Sequence, residues 1–199
     1  MQTDKKQIIF FDFDGVIVDS FDVALAVAKL ACPDLMVEEY KKRFTGNIFE
    51  ESYLGHSDKC NHNLDFYGHY NPLLGEKVGL FSGIDTVVKE LSQKNILIVI
   101  SSSEVPAIKR SLERHNLLEC FEDILGSDTH KSKSEKIKMV LAKYEVSPEK
   151  CFFVTDTIGD LEEASKVGVP TIGVTWGFHS KETLQDKRFI AVFSTPEEL

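Results

Sequence analysis

The sequence predicts an α/β protein: a Rossmann-like parallel sheet core with helices on both faces, carrying a small inserted all-helical unit. Three observations carry this prediction. Continuous apolar runs at 8–11, 96–100 and 151–154 alternate with stretches of helical length, the pattern of βαβ units whose strands are buried on both faces. Each of these runs stops abruptly at polar, chemistry-bearing residues. Between 34 and 80 the text changes to Gly, Asn, His, Tyr and charge, and β-branched runs vanish.

Taken in order, the first strand runs straight into Asp12-Phe13-Asp14-Gly15. Strand residues alternate faces, so Asp12 and Asp14, two apart, are expected on one side, and Gly15 lets the chain turn where the strand stops. Residues 20–31 form a helix candidate with Ser20 or Asp19 as N-cap, ended by Cys32-Pro33. Short helices are expected near 36–44, 47–55 and 58–70, with loops around Gly46, Gly55 and Asn71-Pro72. From Leu80 the core style returns. An amphipathic helix is expected at 84–93, a buried strand at 96–100 ending in Ser101-Ser102-Ser103, a helix at 104–116 and a short strand at 123–125. A polar loop at 127–132 precedes a helix at 134–145, a strand at 151–154 and a helix at 159–167. Further strands are expected at 170–174 and 190–193.

Length and composition limit the function classes. The 199 residues suffice for one substantial domain with an insertion, or a domain plus a small second one. A net charge of −9 argues against a nucleic-acid or anionic-membrane surface. No apolar run approaches the roughly 20 residues of a membrane span, and the first residues lack a signal-peptide apolar region. Cys32, Cys60, Cys120 and Cys151 contain no CxxC pair, which predicts reduced thiols and a cytoplasmic location.

In parallel sheets the ligand site lies beyond the carboxyl ends of the strands. That rule gathers Asp12, Asp14, Ser101, Asp156 and Asp160 at one edge, with Lys131 and Lys133 in the loop before the 151–154 strand. Two carboxylates crowded at the end of an apolar strand cost several kcal/mol if unpaired, and a hard divalent cation removes that cost. Asp12 and Asp156 are natural ligands for a Mg²⁺-sized ion, with Asp14 adding an oxygen or a supporting contact. Asp160 can orient a bound water or hold a lysine. A serine hydroxyl and a lysine suit a phosphoryl group. One carboxylate can attack phosphorus while the second protonates the leaving oxygen and then activates water.

On these residues the chain resembles the haloacid dehalogenase superfamily, in the branch with a helical cap inserted after the first strand. Asp12-Phe13-Asp14-Gly15-Val16 resembles the first motif, Ser101 the second, and Asp156-Thr157-Ile158-Gly159-Asp160 the acidic fourth. The resemblance implies Asp12 as nucleophile, Asp14 as acid/base, Mg²⁺ as cofactor, a catalytic core at 1–19 and 80–199, and a cap at 20–79. The family's lysine motif often reads Lys-Pro-x-Pro, whereas here the text is Lys131-Ser132-Lys133-Ser134. Alignment without gaps places Lys131 on the family's lysine and leaves Lys133 as a loop charge. Thr155 stands where Gly is common, a change expected to be harmless. An Asp two residues after the nucleophile is a feature of the superfamily's phosphatases and phosphomutases, so a phosphatase acting on a small phosphorylated metabolite is expected. A phosphoglycolate-phosphatase-like substrate fits that expectation.

Weaker signals surround this site. Arg43, Thr45, Gly46 and Asn47 are candidates for reading the rest of a substrate, and Gly15, Ser102 and Lys133 for further phosphate contacts. Ser103 reads as the cap of the following helix. His56, His62 and His69 lack zinc-ligand spacing. Trp176 reads as packing, with the backbone of 176–179 bordering the site. The rival readings are a sugar phosphomutase using the same residues, a phosphoaspartate receiver and a noncatalytic binding module. Receivers are shorter and lack the insertion. Oligomeric state is left open.

Overall fold

The computed structural model describes residues 7–49 and 60–199. Strands β1 (Ile8–Phe11), β2 (Ile96–Ile100), β3 (Asp123–Leu125), β4 (Cys151–Thr155), β5 (Thr171–Val174) and β6 (Phe189–Phe193) form one sheet in the order β3-β2-β1-β4-β5-β6. Every pairing is parallel. The chain builds outward from β1 through β2 and β3, then crosses back to lay β4 on the other side of β1. The carboxyl ends of β1 and β4 therefore flank the point where strand order reverses, where ligands bind in such sheets.

The continuous apolar strands are explained by cover on both faces. Ile9, Phe11, Leu97 and Val99 pack with Val88 of α4 (Ile84–Lys94) and with Ile108 and Leu112 of α5 (Val105–Arg114). The alternate residues Ile8, Phe10, Ile98 and Ile100 pack with Ile137 and Val140 of α6 (Lys133–Tyr144) and Ala164 of α7 (Ile158–Ser165). Period-two alternation thus sorts side chains between two apolar layers rather than between core and water.

The insertion contributes α1 (Phe21–Ala31), α2 (Val37–Lys42) and α3 (Phe66–Glu76). Its ends lie side by side: the Asp19 N–H donates to the Gly79 carbonyl at 2.9 Å, and Val18 bridges Leu80. Two local expectations are corrected here, and Ser20 takes the N-cap position expected of it or Asp19. Asn71-Pro72 lies inside α3 rather than in a loop. An interior proline costs about 3 kcal/mol, but Asp65 caps the helix by accepting the Gly68 N–H, and Tyr70 and Leu74 are buried one turn apart. Residues 47–49 are not helical, with a turn at 48–49, and the rest of the helix expected at 47–55 lies outside the described residues. Ser20 holds the N-cap position of α1 without a side-chain cap bond.

The cysteine reading is also corrected. Cys32 and Cys60 are joined in a disulfide, while Cys120 and Cys151 are free thiols. The pair lies 28 residues apart in sequence, a separation that carries no motif. The chain fold brings them together, and the argument for a cytoplasmic location from reduced thiols falls with it. Among the described residues, no helix is long and apolar enough to cross a membrane.

Candidate active site

A cavity of about 210 Å³ opens over the carboxyl edge of the sheet, between the core and the insertion. Its floor holds Asp12, Asp14, Lys133 and Asp160. Asp12 follows β1 directly, and its N–H donates to the Val154 carbonyl at 2.9 Å, so the β1–β4 pairing sets its position. The carboxylate accepts the Phe13 N–H at 2.7 Å and lies 2.9 Å from the Lys133 ammonium. The same ammonium donates to Asp160 Oδ2 at 2.7 Å. Burial pushes the Asp12 carboxyl well above the usual range, with Lys133 opposing the shift and Asp160 and Asp156 adding to it. Burial works against the charge on Lys133, but Asp12 and Asp160 outweigh it and raise that group above an ordinary lysine.

Lys133, and not Lys131, is the lysine at this edge. Ser132 caps α6 through the Glu135 N–H, so Lys133 is the first helical residue. Glu163 of α7, itself buried, accepts the N–H groups of Lys133 and Ser134, the latter at 3.0 Å. A carboxylate at a helix N-terminus satisfies donors with no intrahelical partner and faces the favourable end of the dipole. This anchor turns the first residue of α6 toward β1 and β4. Lys131, upstream of the cap, is exposed at the cavity rim with its ammonium over the Phe49 ring, 4.5 Å from the centroid. The gapless alignment follows the helix but not the point at which the helix starts.

Asp14 is held by other partners. Its Oδ1 accepts the hydroxyl of Tyr70, from α3 in the insertion, and its Oδ2 accepts the Ser103 hydroxyl at 2.6 Å. Both carboxylate oxygens thus accept hydroxyl groups, one from the insertion and one from the loop after β2. Ser103 is likewise not a helix cap. The first N–H of α5, from Val105, is satisfied at 3.0 Å by Asp128 instead. Ser101 is buried and does not line the cavity; its hydroxyl accepts the Ser103 N–H at 3.0 Å, while Ser102 and Ser103 face the cavity.

Asp156 lies buried at the end of β4. Its Oδ2 accepts the Phe178 N–H at 2.6 Å, and its Oδ1 is buried with no hydrogen-bond partner. Burial raises its carboxyl to about 7, against the Phe178 N–H, which favours the ionised form. Gly15 (φ +79°) and Gly177 make room for it: a Cβ on either would lie 2.1 or 2.3 Å from Asp156 Oδ2. The Trp176 side chain donates to the Val16 carbonyl at 3.2 Å, in keeping with a packing role. Among the described residues, no three His, Cys, Asp or Glu side chains form a metal cluster. The unpartnered Asp156 oxygen and the buried Asp12 carboxylate nevertheless fit a hard cation by donor type.

The remaining candidates divide. Arg43, Gly46 and Asn47 line the cavity, whereas Thr45 donates its hydroxyl to the Lys42 carbonyl at 2.8 Å and does not. Asn47 donates to Glu163 at 3.0 Å, so it joins the insertion to the anchor of Lys133. The Thr155 hydroxyl donates to Asp160 Oδ2 at 2.6 Å and helps set its orientation, a contact that Gly at this position would lack. Lys136 is wholly buried and donates to the Ser101 and Gly126 carbonyls beneath the site. Burial, reinforced by Lys133, lowers it to about 7. Glu163, Tyr70 and Lys136 carry no motif, and only their neighbours in space reveal them. His62 and His69 are exposed on the insertion, and His56 lies outside the described residues.

The chain belongs to the haloacid dehalogenase-like hydrolases, whose family model matches residues 9–174. It is 30% identical over 186 residues to a phosphoglycolate phosphatase of Aquifex aeolicus, covering 86% of each chain. It is 24% identical to a phosphoglycolate phosphatase of Synechococcus elongatus, covering 97% of this chain and 95% of that one. A haloacid dehalogenase-like hydrolase of Streptococcus pneumoniae shares the fold with a TM-score of 0.82 at 21% identity, covering 97% of this chain and 96% of that one.

Proposed function

We propose that this haloacid dehalogenase-like phosphatase is Mg²⁺-dependent and hydrolyses a small phosphorylated metabolite through an aspartyl phosphate on Asp12. The observation that carries the reading is the Lys133 ammonium held between Asp12 and Asp160 on the cavity floor. An ammonium there neutralises a phosphoryl group brought against Asp12, and it opposes the burial that raises the Asp12 carboxyl, favouring the ionised form that attacks. In the first step an Asp12 oxygen bonds to phosphorus as the bond to the leaving oxygen breaks, and Asp14 supplies the proton that oxygen needs. In the second, Asp14 takes a proton from water, whose oxygen bonds to phosphorus as the Asp12–phosphorus bond breaks. Phosphate leaves and both carboxyl groups return to their starting states.

Asp12 and Asp156 are the residues that would hold Mg²⁺, which when bound supplies Lewis-acid stabilisation of phosphoryl charge. The insertion at 20–79 is read as the cap that closes the cavity, with Tyr70 and Asn47 reaching core residues from it. Relatives named phosphoglycolate phosphatase support a small phosphate ester as substrate.

The test is phosphate release from a panel of phosphorylated metabolites with and without Mg²⁺, for the native protein and Asp12→Asn. Magnesium-dependent release that disappears in the folded variant is expected. Near-normal turnover by Asp12→Asn overturns the nucleophile assignment. A stable phospho-Asp12 protein that releases no phosphate from any compound points to a phosphomutase instead.

A further inference from the structure

The floor of the cavity is polar, but its walls are rings. Phe49 and Tyr67 lie within 22° of parallel with centroids 6.4 Å apart, and Phe66 stands edge-on to Tyr67 at 5.4 Å. All three line the cavity and none is fully buried. The Tyr67 hydroxyl donates to the Ser102 carbonyl at 2.9 Å, so this ring wall is tied to the loop that also supplies Ser103 to Asp14. The rings thus begin one residue from the contact that holds Asp14.

Among the described residues, three cations line the cavity. Lys133 lies between Asp12 and Asp160. The Lys131 ammonium rests on the Phe49 ring at the exposed rim, and the Arg43 guanidinium lies 5.7 Å from the Tyr40 ring centroid. A ring on the leaving group would bury its faces against Phe49, Phe66 and Tyr67, which is favourable both in area and in ring–ring geometry.

We infer that the leaving group of the substrate carries a planar apolar ring, recognised by Phe49, Phe66 and Tyr67. This rests on the phosphatase reading above and specifies its substrate class.

The test compares kcat/KM for benzyl phosphate, ethyl phosphate and 2-phosphoglycolate in the presence of Mg²⁺. All three release an alkyl oxygen, so the comparison weighs the group attached rather than a change from alkyl to aryl leaving oxygen. Benzyl phosphate is expected to exceed both others by about tenfold or more, the scale of apolar-pocket discrimination. Phe49→Ala and Phe66→Leu should each lower the benzyl-to-ethyl ratio by about fivefold. If Phe49→Ala fails to fold, Phe49→Leu keeps apolar bulk and removes the ring face, and the same ratio decides. Turnover of all three with ethyl phosphate or 2-phosphoglycolate equal to or better than benzyl phosphate overturns the inference and leaves the phosphatase reading standing. Turnover of none, by folded protein with Mg²⁺, overturns the inference, and only a further lack of release from the whole metabolite panel overturns the phosphatase reading as well.

Discussion

The Lys133 ammonium lies 2.9 Å from Asp12 Oδ1, and 2.7 Å on its other side is Asp160 Oδ2. This buried triad is the only described arrangement in which a lysine meets the first carboxylate of the chain's leading motif. Lys133→Met should therefore lower kcat/KM by roughly 10²–10³-fold, the cost of losing one buried charge-stabilising donor. Lys131→Met, at the rim, should cost less than about tenfold. Steady-state assays on one phosphate ester separate the two, and a larger loss from Lys131→Met would reverse the assignment.

Asp14 accepts from Tyr70 and Ser103, so a tyrosine from the insertion orients the group proposed as acid and base. Asp14→Asn should lose more activity on an alkyl phosphate than on p-nitrophenyl phosphate, because only the poor leaving group needs the proton. Tyr70→Phe should shift the same ratio in the same direction by about tenfold or less. Equal losses on both substrates for Asp14→Asn would argue against proton donation.

Glu163 accepts the first two N–H groups of α6 and the Asn47 amide. Glu163→Gln keeps the shape but removes the charge and one acceptor oxygen. It should lower stability by about 1–3 kcal/mol, as for a buried donor left without its acceptor. It should also reduce kcat, because Lys133 loses its anchor. Urea denaturation and kcat measured together test this, and a stable variant with normal kcat would show that Glu163 does not position Lys133.

Lys136 supplies a dependence on pH. Burial holds it at about 7 in the folded chain, below the ordinary 10.5. Between those values the unfolded chain binds more protons, so this group's contribution to stability rises with pH across that window. Below about pH 7 the full cost of burying the ammonium is present. Thermal unfolding of native protein and Lys136→Met at pH 7 and pH 9 should show the native protein gaining relative to the variant. A difference that stays flat would mean that Lys136 titrates as an ordinary lysine.

Much of this protein is legible in one dimension, because its strongest signals are local. The apolar runs at 96–100 and 151–154 are too continuous for a one-sided sheet, and alternation along β1 sends Ile9 and Phe11 to one layer and Ile8 and Phe10 to the other. Parallel strands then bring their carboxyl ends to one edge, so Asp12, Asp14, Asp156 and Asp160 could be gathered without coordinates.

Other features depend on contacts between residues far apart in the chain, and no local pattern encodes them. Two lysines lie two residues apart, and the choice between them rests on where α6 starts and on a carboxylate 30 residues further along. Asp12 and Asp14 lie equally close in sequence, yet β1 ends at Phe11, so strand alternation no longer governs their directions. Lys133 and Asp160 engage the first, while Tyr70 and Ser103 engage the second. The pairing of Cys32 with Cys60 and the helical course of Pro72 have the same origin. Burial and partner geometry outweigh local propensity wherever the insertion meets the core.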